Sequence, residues 1–392
     1  MDLKALTWHG SGKIQCDTVA DPTIEEPHDI VVKVTSCAIC GSDLHLMGGF
    51  IPHMEKGDIL GHECMGEVVE KGSSVKNLKI GDRVVVPFNI ACGKCRMCKN
   101  ELYSCCERAN RKKELQVEAY GYPLAGAFGF GHSAGGYSGG QAEYVRVPFA
   151  DVGPLKVNND LTDEQVLFLS DIFPTGYMAA ENCDIQAGQT IAVFGCGPVA
   201  QFAIMSAFLL GAKSVIAIDT VPERLRMAKR NGAITVDFGK GKVQDQIREL
   251  TDGKGPDAVI DAVGLESHGA QGTMERVASA VKETLTSSER TYSLNEAILA
   301  CRPAGIVSVP GVYGGEVGPV AMGAFMNKGL TMKTGQTSVR KYMPKLLKMV
   351  EDEKIDLTSV ITHRSKKLED GPDLYKTFRD KKDGCIKVVI HP

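Results

Sequence analysis

"TIAVFGCGPVA", residues 190–200, decides how the second half of the chain folds. An apolar, β-branched run meets Gly195 and Gly197, and Pro198 and Val199 then open a long apolar stretch, "PVAQFAIMSAFLLG". A strand, a glycine turn and a helix in that order let a backbone approach a pyrophosphate, with the helix N-terminus favouring its charge. The glycines alone are a weak signal; their place between strand and helix strengthens it. Downstream, "SVIAIDT", "PERLRMAKRNG" and "PDAVIDAVG" continue the alternation of strand and helix. That is the pattern of an α/β unit with a doubly wound parallel sheet. The strand after the turn ends in Asp219. A carboxylate there accepts both ribose hydroxyls and repels a 2′-phosphate, which predicts NAD rather than NADP. Arg224, close behind, reads by itself as a solvated helix arginine.

A chain of 392 residues suits two domains at about 150 residues each. Hydrophobic content of 43%, charged content of 24% and a net charge of −3 describe a soluble globular protein, with no electrostatic reason to expect nucleic acid or membrane. The start "MDLKALTWHGSGK" lacks a basic segment followed by an apolar one, and no apolar run reaches the roughly 20 residues of a membrane span. A cytoplasmic protein is expected. Up to about residue 150, short runs such as "DIVVKVTSC", "KIGDRVVVPF" and "AEYVRVPF" predict a β-rich, barrel-like unit. Near the other end, "GLTMKTGQT" reads as a strand, "KYMPKLLKMVEDEKI" as an amphipathic helix and "DGCIKVVIHP" as a strand the nucleotide unit does not need. The expected division is therefore 1–171, 172–335 and 336–392, with the third segment returning to the first.

Thirteen cysteines in a reducing compartment point to metal rather than disulfides. In "CGKCRMCKNELYSCC", Cys92, Cys95 and Cys98 stand at intervals of three and Cys106 follows eight later. Four thiolates at such spacing close a tetrahedral, structural zinc site; Cys105 is a spare, and spacing favours Cys106. A second set is looser: "CAICGSDLH" gives Cys40, Gly41, Ser42, Asp43 and His45, and "LGHECMGE" gives His62 and Glu63. Buried cysteines mostly act as small hydrophobes, so these residues alone are weak evidence. Asp171, in "LSDIFPTGY", reads alone as a helix cap or half of a buried ion pair.

Taken in order, "CGSDLH", "GHE", the four-cysteine loop, "GCGPVA" and "DAVG" resemble the zinc-dependent medium-chain dehydrogenase/reductase (alcohol dehydrogenase) family over essentially the whole chain. "LSDIFPTGY", "GGQAEYV" and "GQT" are further similar to its glutathione-independent formaldehyde dehydrogenase branch. The resemblance implies a GroES-like β-rich catalytic domain and a Rossmann coenzyme domain. It places a catalytic zinc on Cys40 and His62, and where many members carry a second cysteine in "STGYG" this chain offers Asp171. Thiolate and carboxylate each bring one negative charge, so the exchange keeps the site formally neutral. Glu63 is implied as an outer hydrogen-bond acceptor or transient ligand, and Ser42 and His45 as a proton relay through the nicotinamide ribose. By the same resemblance Gly41, Ser42, Asp43, His45, Asp171, Gly195, Gly197, Pro198, Val199, Val263, Pro310, Gly335 and Thr337 line the NAD, with Asp219 and Arg224 on its adenosine side.

The expectation is an NAD-dependent zinc alcohol dehydrogenase with two zinc ions per chain, acting on a small or medium alcohol, aldehyde or ketone. Phe88 and Met47 are candidate pocket walls. Its rival is a formaldehyde dehydrogenase or aldehyde dismutase that retains NAD. The long 265–292 segment, with a helical stretch "GTMERVASAVKETL", lacks that branch's histidine-rich wording and so argues against retention. A silent scaffold on this fold would not need Cys40, His62 and Asp171, all of which are present. The resembling branch is tetrameric, which implies a closed homo-oligomer.

Overall fold

The strand Thr190–Phe194 lies inside a six-stranded parallel sheet, with Ser214–Asp219 and Ile234–Asp237 on one side and Ala258–Asp261, Ile306–Val309 and Thr331–Thr334 on the other. This computed structural model describes residues 2–266, 291–315 and 317–392. The expected helix in the 265–292 segment lies outside the described residues. Ile191, Ala192 and Val193 are fully buried because both sheet faces are covered, which is why the strand reads as an unbroken apolar run. The chain leaves Thr190–Phe194 in one direction for two strands and then returns to its other side. That reversal opens a crevice beyond the carboxyl ends of Phe194 and Asp261, where open α/β sheets bind ligands. The helix Pro198–Leu209 starts with proline at its first turn behind Gly197, as a missing N–H permits.

Two compact units result, Met1–Pro174 with Thr337–Pro392, and Thr175–Gln336. The first is built on a mixed seven-stranded sheet. Its long strand Ile30–Ile39 runs antiparallel to Glu63–Lys71 along one edge and to Tyr144–Val147 and Val388–Ile390 along the other. Two register shifts, at Val31/Val32 and Val34/Ser36, bend this strand before it ends. Bulges of this kind re-aim side chains near a sheet's rim. Beyond the shifts Ala38 stands opposite Glu63, so Cys40, just past one strand, and His62, just before the other, arrive side by side. The helix Val339–Glu351 buries Val339, Tyr342, Met343, Leu346 and Val350, a helical stripe of the spacing expected from its sequence.

Glu164 ties the chain's return segment to the first unit. Its two oxygens accept from Arg364 Nε at 2.8 Å and a terminal guanidinium nitrogen at 2.9 Å, and His391 Nε2 lies 3.3 Å away. The Arg364 hydrogen bonds hold the Glu164 carboxyl below its ordinary value of 4.5. A lowered folded-state value stabilises fully above the unfolded value, and that contribution shrinks below it and is gone once pH has fallen through the folded value. Glu164→Gln should therefore cost roughly 0.5–1 kcal/mol at neutral pH, the scale of a partly screened pair. The deficit should close below about pH 4.5, and urea unfolding at several pH values checks this. A deficit that stays constant into acid would defeat the assignment. Among the described residues no helix is long and apolar enough to cross a membrane.

Candidate functional site

Cys92, Cys95, Cys98 and Cys106 are all buried and bring their sulfurs within 4.8 Å of one another. Cys92 and Cys98 sulfurs are 4.0 Å apart, and those of Cys95 and Cys106 are 3.9 Å apart. Sulfurs placed 2.3 Å from a central tetrahedral ion would be separated by about 3.8 Å, so zinc fits. Cys106, rather than Cys105, is in the cluster. Cys95 caps the short helix Arg96–Lys99 and accepts from Cys98 N. Burial works against its ionisation, but backbone N–H groups of Cys98 and Glu107 outweigh it and bring the thiol down to about 7.

The second cluster joins Cys40, His62, Glu63 and Asp171, all buried, with one donor atom of each within 4.8 Å of the rest. Cys40 caps the helix Gly41–Met47. Asp171 stands where the 3-10 turn Leu167–Ser170 meets the helix Ile172–Glu181, beside Ser170, whose carbonyl accepts from Phe88 N. Asp171 Oδ2 lies 3.2 Å from His62 Nε2 and 3.8 Å from Cys40 Sγ. A tetrahedral zinc at ordinary ligand distances spaces nitrogen and oxygen by about 3.4 Å and sulfur and oxygen by about 3.6 Å, so the three donors fit one ion. Among the described residues, His62 Nε2 and Glu63 Oε2 are buried without completing a hydrogen bond, which a bound cation would explain. Burial pushes the Cys40 thiol up to about 11, so taking up a metal would release its proton. Burial opposes charge on His62 as well, yet Asp43, Cys40 and Asp171 carry its imidazole well above its ordinary range. The pocket's excess of acidic groups calls for a cation.

Around the donors sits a buried support that the sequence reading did not assemble. His62 Nδ1 is 3.1 Å from Asp43 Oδ1, while Asp43 Oδ2 accepts from Cys40 N at 2.9 Å and Gln141 Nε2 at 3.0 Å. Gln141 Oε1 accepts in turn from Tyr375 at 2.7 Å. Asp43, with no exposed surface and both oxygens turned to protein groups, orients His62. Glu63 Oε1 accepts from Lys387 Nζ at 2.7 Å, and the same ammonium donates to Ile39 O at 2.9 Å. Both side chains are fully buried. Lys387 was missed, although a lysine within "CIKVVI" is the kind of interruption that signals a buried partner.

Ser42 Oγ lies 3.9 Å from Cys40 Sγ, and His45 follows on the same short helix, nearly buried. Phe88 and Phe130 set their rings edgewise to His62, with centroids 6.2 and 4.8 Å away. Phe88 was anticipated; Phe130, within a glycine-rich loop, was not. Met47 is buried and borders a surface cavity with Ile14, Pro372 and Lys376.

In the second unit Gly195 adopts φ +84°, a conformation side chains resist, and a Cβ there would come within 2.9 Å of Val263 Cγ2. Asp219 braces the turn, accepting from Cys196 N at 2.8 Å, Thr220 N at 2.7 Å and Val221 N at 2.9 Å. The Arg224 guanidinium lies against Gly197, and among the described residues its buried Nε has no hydrogen-bond partner. Pro198 and Val199 open the helix behind the turn, Pro310 follows the strand Ile306–Val309, and Gly335 follows Thr331–Thr334. Thr337 belongs to the first unit, where its carbonyl accepts from Asn89, and among the described residues its buried Oγ1 has no hydrogen-bond partner.

A GroES-like catalytic unit carrying two zinc-compatible clusters, followed by a Rossmann sheet, defines a class, and the chain belongs to the zinc-type alcohol dehydrogenase family. Residues 26–157 match the family described as alcohol dehydrogenase GroES-like domain, and residues 198–286 match zinc-binding dehydrogenase. The chain is 41% identical to the uncharacterized zinc-type alcohol dehydrogenase-like protein AdhB of Bacillus subtilis (strain 168), over 100% of both. It is 34% identical to the formaldehyde dismutase of Pseudomonas putida, over 99% of this chain and 97% of that one. Among solved structures, the alcohol dehydrogenase TADH from Thermus sp. ATN1 matches with a TM-score of 0.82 at 32% identity, over 99% of each chain.

Proposed function

We propose that this protein is an NAD-linked zinc alcohol dehydrogenase that interconverts a small alcohol with its aldehyde or ketone. What supports the reading is the convergence of Cys40, His62 and Asp171 on one point, with a hydroxyl, Ser42 Oγ, 3.9 Å from Cys40 Sγ. When bound, zinc polarises the carbinol or carbonyl oxygen and nicotinamide accepts or supplies the hydride. The chain's own groups do the rest. Asp43 fixes the His62 ring so that Nε2 faces the other donors. Phe88 and Phe130 cover the His62 ring with apolar faces that keep water from that side. Ser42 Oγ accepts the hydroxyl proton as it releases its own toward His45, which lies three positions on along the same helix face. Asp219 sets a carboxylate where a 2′-phosphate would have to lie, which favours NAD.

A second reading, oxidation or dismutation of formaldehyde, draws on the relationship to the Pseudomonas putida dismutase and on a carboxylate at position 171. One set of measurements separates them: zinc per chain, nucleotide surviving dialysis, and NADH absorbance over primary alcohols, secondary alcohols, ketones and formaldehyde. The first reading expects two zinc ions per chain and turnover of an alcohol only with added NAD. Retained nucleotide with formaldehyde turnover and none added selects the second. Two zinc ions with no turnover of any of these compounds would sink both.

A further inference from the structure

Asp261, at the carboxyl end of the strand Ala258–Asp261, is fully buried, and among the described residues no cation pairs with it. Its partners are neutral donors. Oδ1 accepts from Ser293 Oγ at 2.7 Å and Val263 N at 3.2 Å, and Oδ2 accepts from Tyr313 OH at 2.7 Å. Burying a carboxylate without a counter-ion is expensive, and a fold that needed only to join these elements could do so with apolar contacts. The cost falls at one place in the sheet.

That place is set by strand order. Asp219 ends the strand on one side of Thr190–Phe194, and Asp261 ends the strand on the other. A dinucleotide laid across such a reversal has its adenosine ribose at the Asp219 side and its pyrophosphate at the Gly195 turn. Its other half therefore falls beyond Asp261 and the neighbouring strand Ile306–Val309. There the carboxylate binds two loops at once: through Val263 the segment that follows its own strand, and through Tyr313 the segment that follows the next. The loops also grip each other by backbone, with Gly311 N donating to Asp261 O at 3.1 Å and Leu265 N to Val312 O at 2.9 Å. A Cβ on Gly264 would meet Val312 N at 2.6 Å, so the approach leaves no room for a side chain.

We propose that Asp261 is a positioning residue for the nicotinamide half of the cofactor, holding the Val263 and Gly311 loops as the wall against which that half is oriented. The inference rests on the dinucleotide-linked reading above. An amide is a poorer holder than the carboxylate: with its oxygen kept toward Val263 N, its NH2 group faces Tyr313, which must then turn its hydroxyl from donor to acceptor.

Calorimetric titration of NADH and of ADP-ribose, which lacks the nicotinamide, tests it on the zinc-loaded protein, with melting temperature followed in parallel. Asp261→Asn should weaken NADH by about tenfold, the scale of a buried polar mismatch. ADP-ribose should change by no more than about twofold, as expected of a distant, independent contact. Tyr313→Phe, which removes one donor and leaves the carboxylate, should weaken NADH by about threefold with the same bias, and it decides the matter if the asparagine variant does not fold. Equal losses for both ligands would reveal general loosening of the unit and overturn the proposal, as would unchanged NADH binding in both variants. Wild-type protein that bound neither ligand would instead remove the dinucleotide reading on which the proposal stands.

Discussion

Asp171→Ala is expected to abolish turnover, by at least about a thousandfold in kcat, while the protein keeps its fold and one of its two zinc ions. The aspartate contributes the oxygen that lies 3.2 Å from His62 Nε2 and 3.8 Å from Cys40 Sγ. Without it two first-choice donors and Glu63 remain, too few for a firmly held catalytic zinc, and Lewis-acid stabilisation worth several kcal/mol goes with the ion. The four-cysteine cluster shares no ligand with this site, so its zinc should stay. Zinc quantitation beside an NADH assay reads both outcomes. Asp171→Cys supplies a thiolate at the same point and should recover the second ion and part of the activity, because charge and donor number are restored. If the alanine variant kept both ions and full activity, Asp171 would be a helix cap and nothing more.

Lys387→Met is expected to destabilise the first unit by roughly 3–5 kcal/mol, the usual cost of stripping one partner from a buried ion pair. Glu63 would be left fully buried with its ammonium gone. Burial already pushes the Glu63 carboxyl up, and Lys387 is what pulls it back toward ionisation. The combined variant Lys387→Met, Glu63→Gln removes both charges and should regain most of the loss. Denaturant midpoints for the wild type, the two single variants and the double variant complete the cycle. Additive losses would show that the two groups do not support one another.

Much of this architecture is legible in the chain. "TIAVFGCGPVA" and the alternation after it predict the parallel sheet, because a strand buried on both faces must be apolar throughout. The four-cysteine loop is legible from spacing, since its ligands are neighbours in sequence as well as in space. Cys40 and His62 needed the family resemblance, because a strand register brings them together and no local pattern records it. Lys387 was out of reach for the same reason in stronger form: its partner Glu63 is 324 positions away. The support that Asp43 gives His62 was hidden because its motif groups it with Ser42 and His45, and only the fold shows its oxygens meeting His62, Cys40 and Gln141. Phe130 hides in "GAFGFGHSAGG", where no period marks an inward face. Asp261 escaped because it ends an apolar run, and only the other strands' loops show what its carboxylate holds.

The strand Val388–Ile390 pairs with Cys37–Ile39, and Lys387 immediately before it neutralises Glu63. On a ribosome adding about 5 to 20 residues per second, the 324 positions between those charges take on the order of 15 to 65 s to make. For about the last two thirds of that interval the nascent chain carries Cys40, His62 and Asp171, but Glu63 lacks the Lys387 ammonium and Cys37–Ile39 lack their Val388–Ile390 partner. The parallel sheet of the second unit is complete in sequence by then. Completion of the metal-compatible pocket is thus scheduled late: every strand of the second unit's sheet has been made before the last strand and Lys387 can close the first unit.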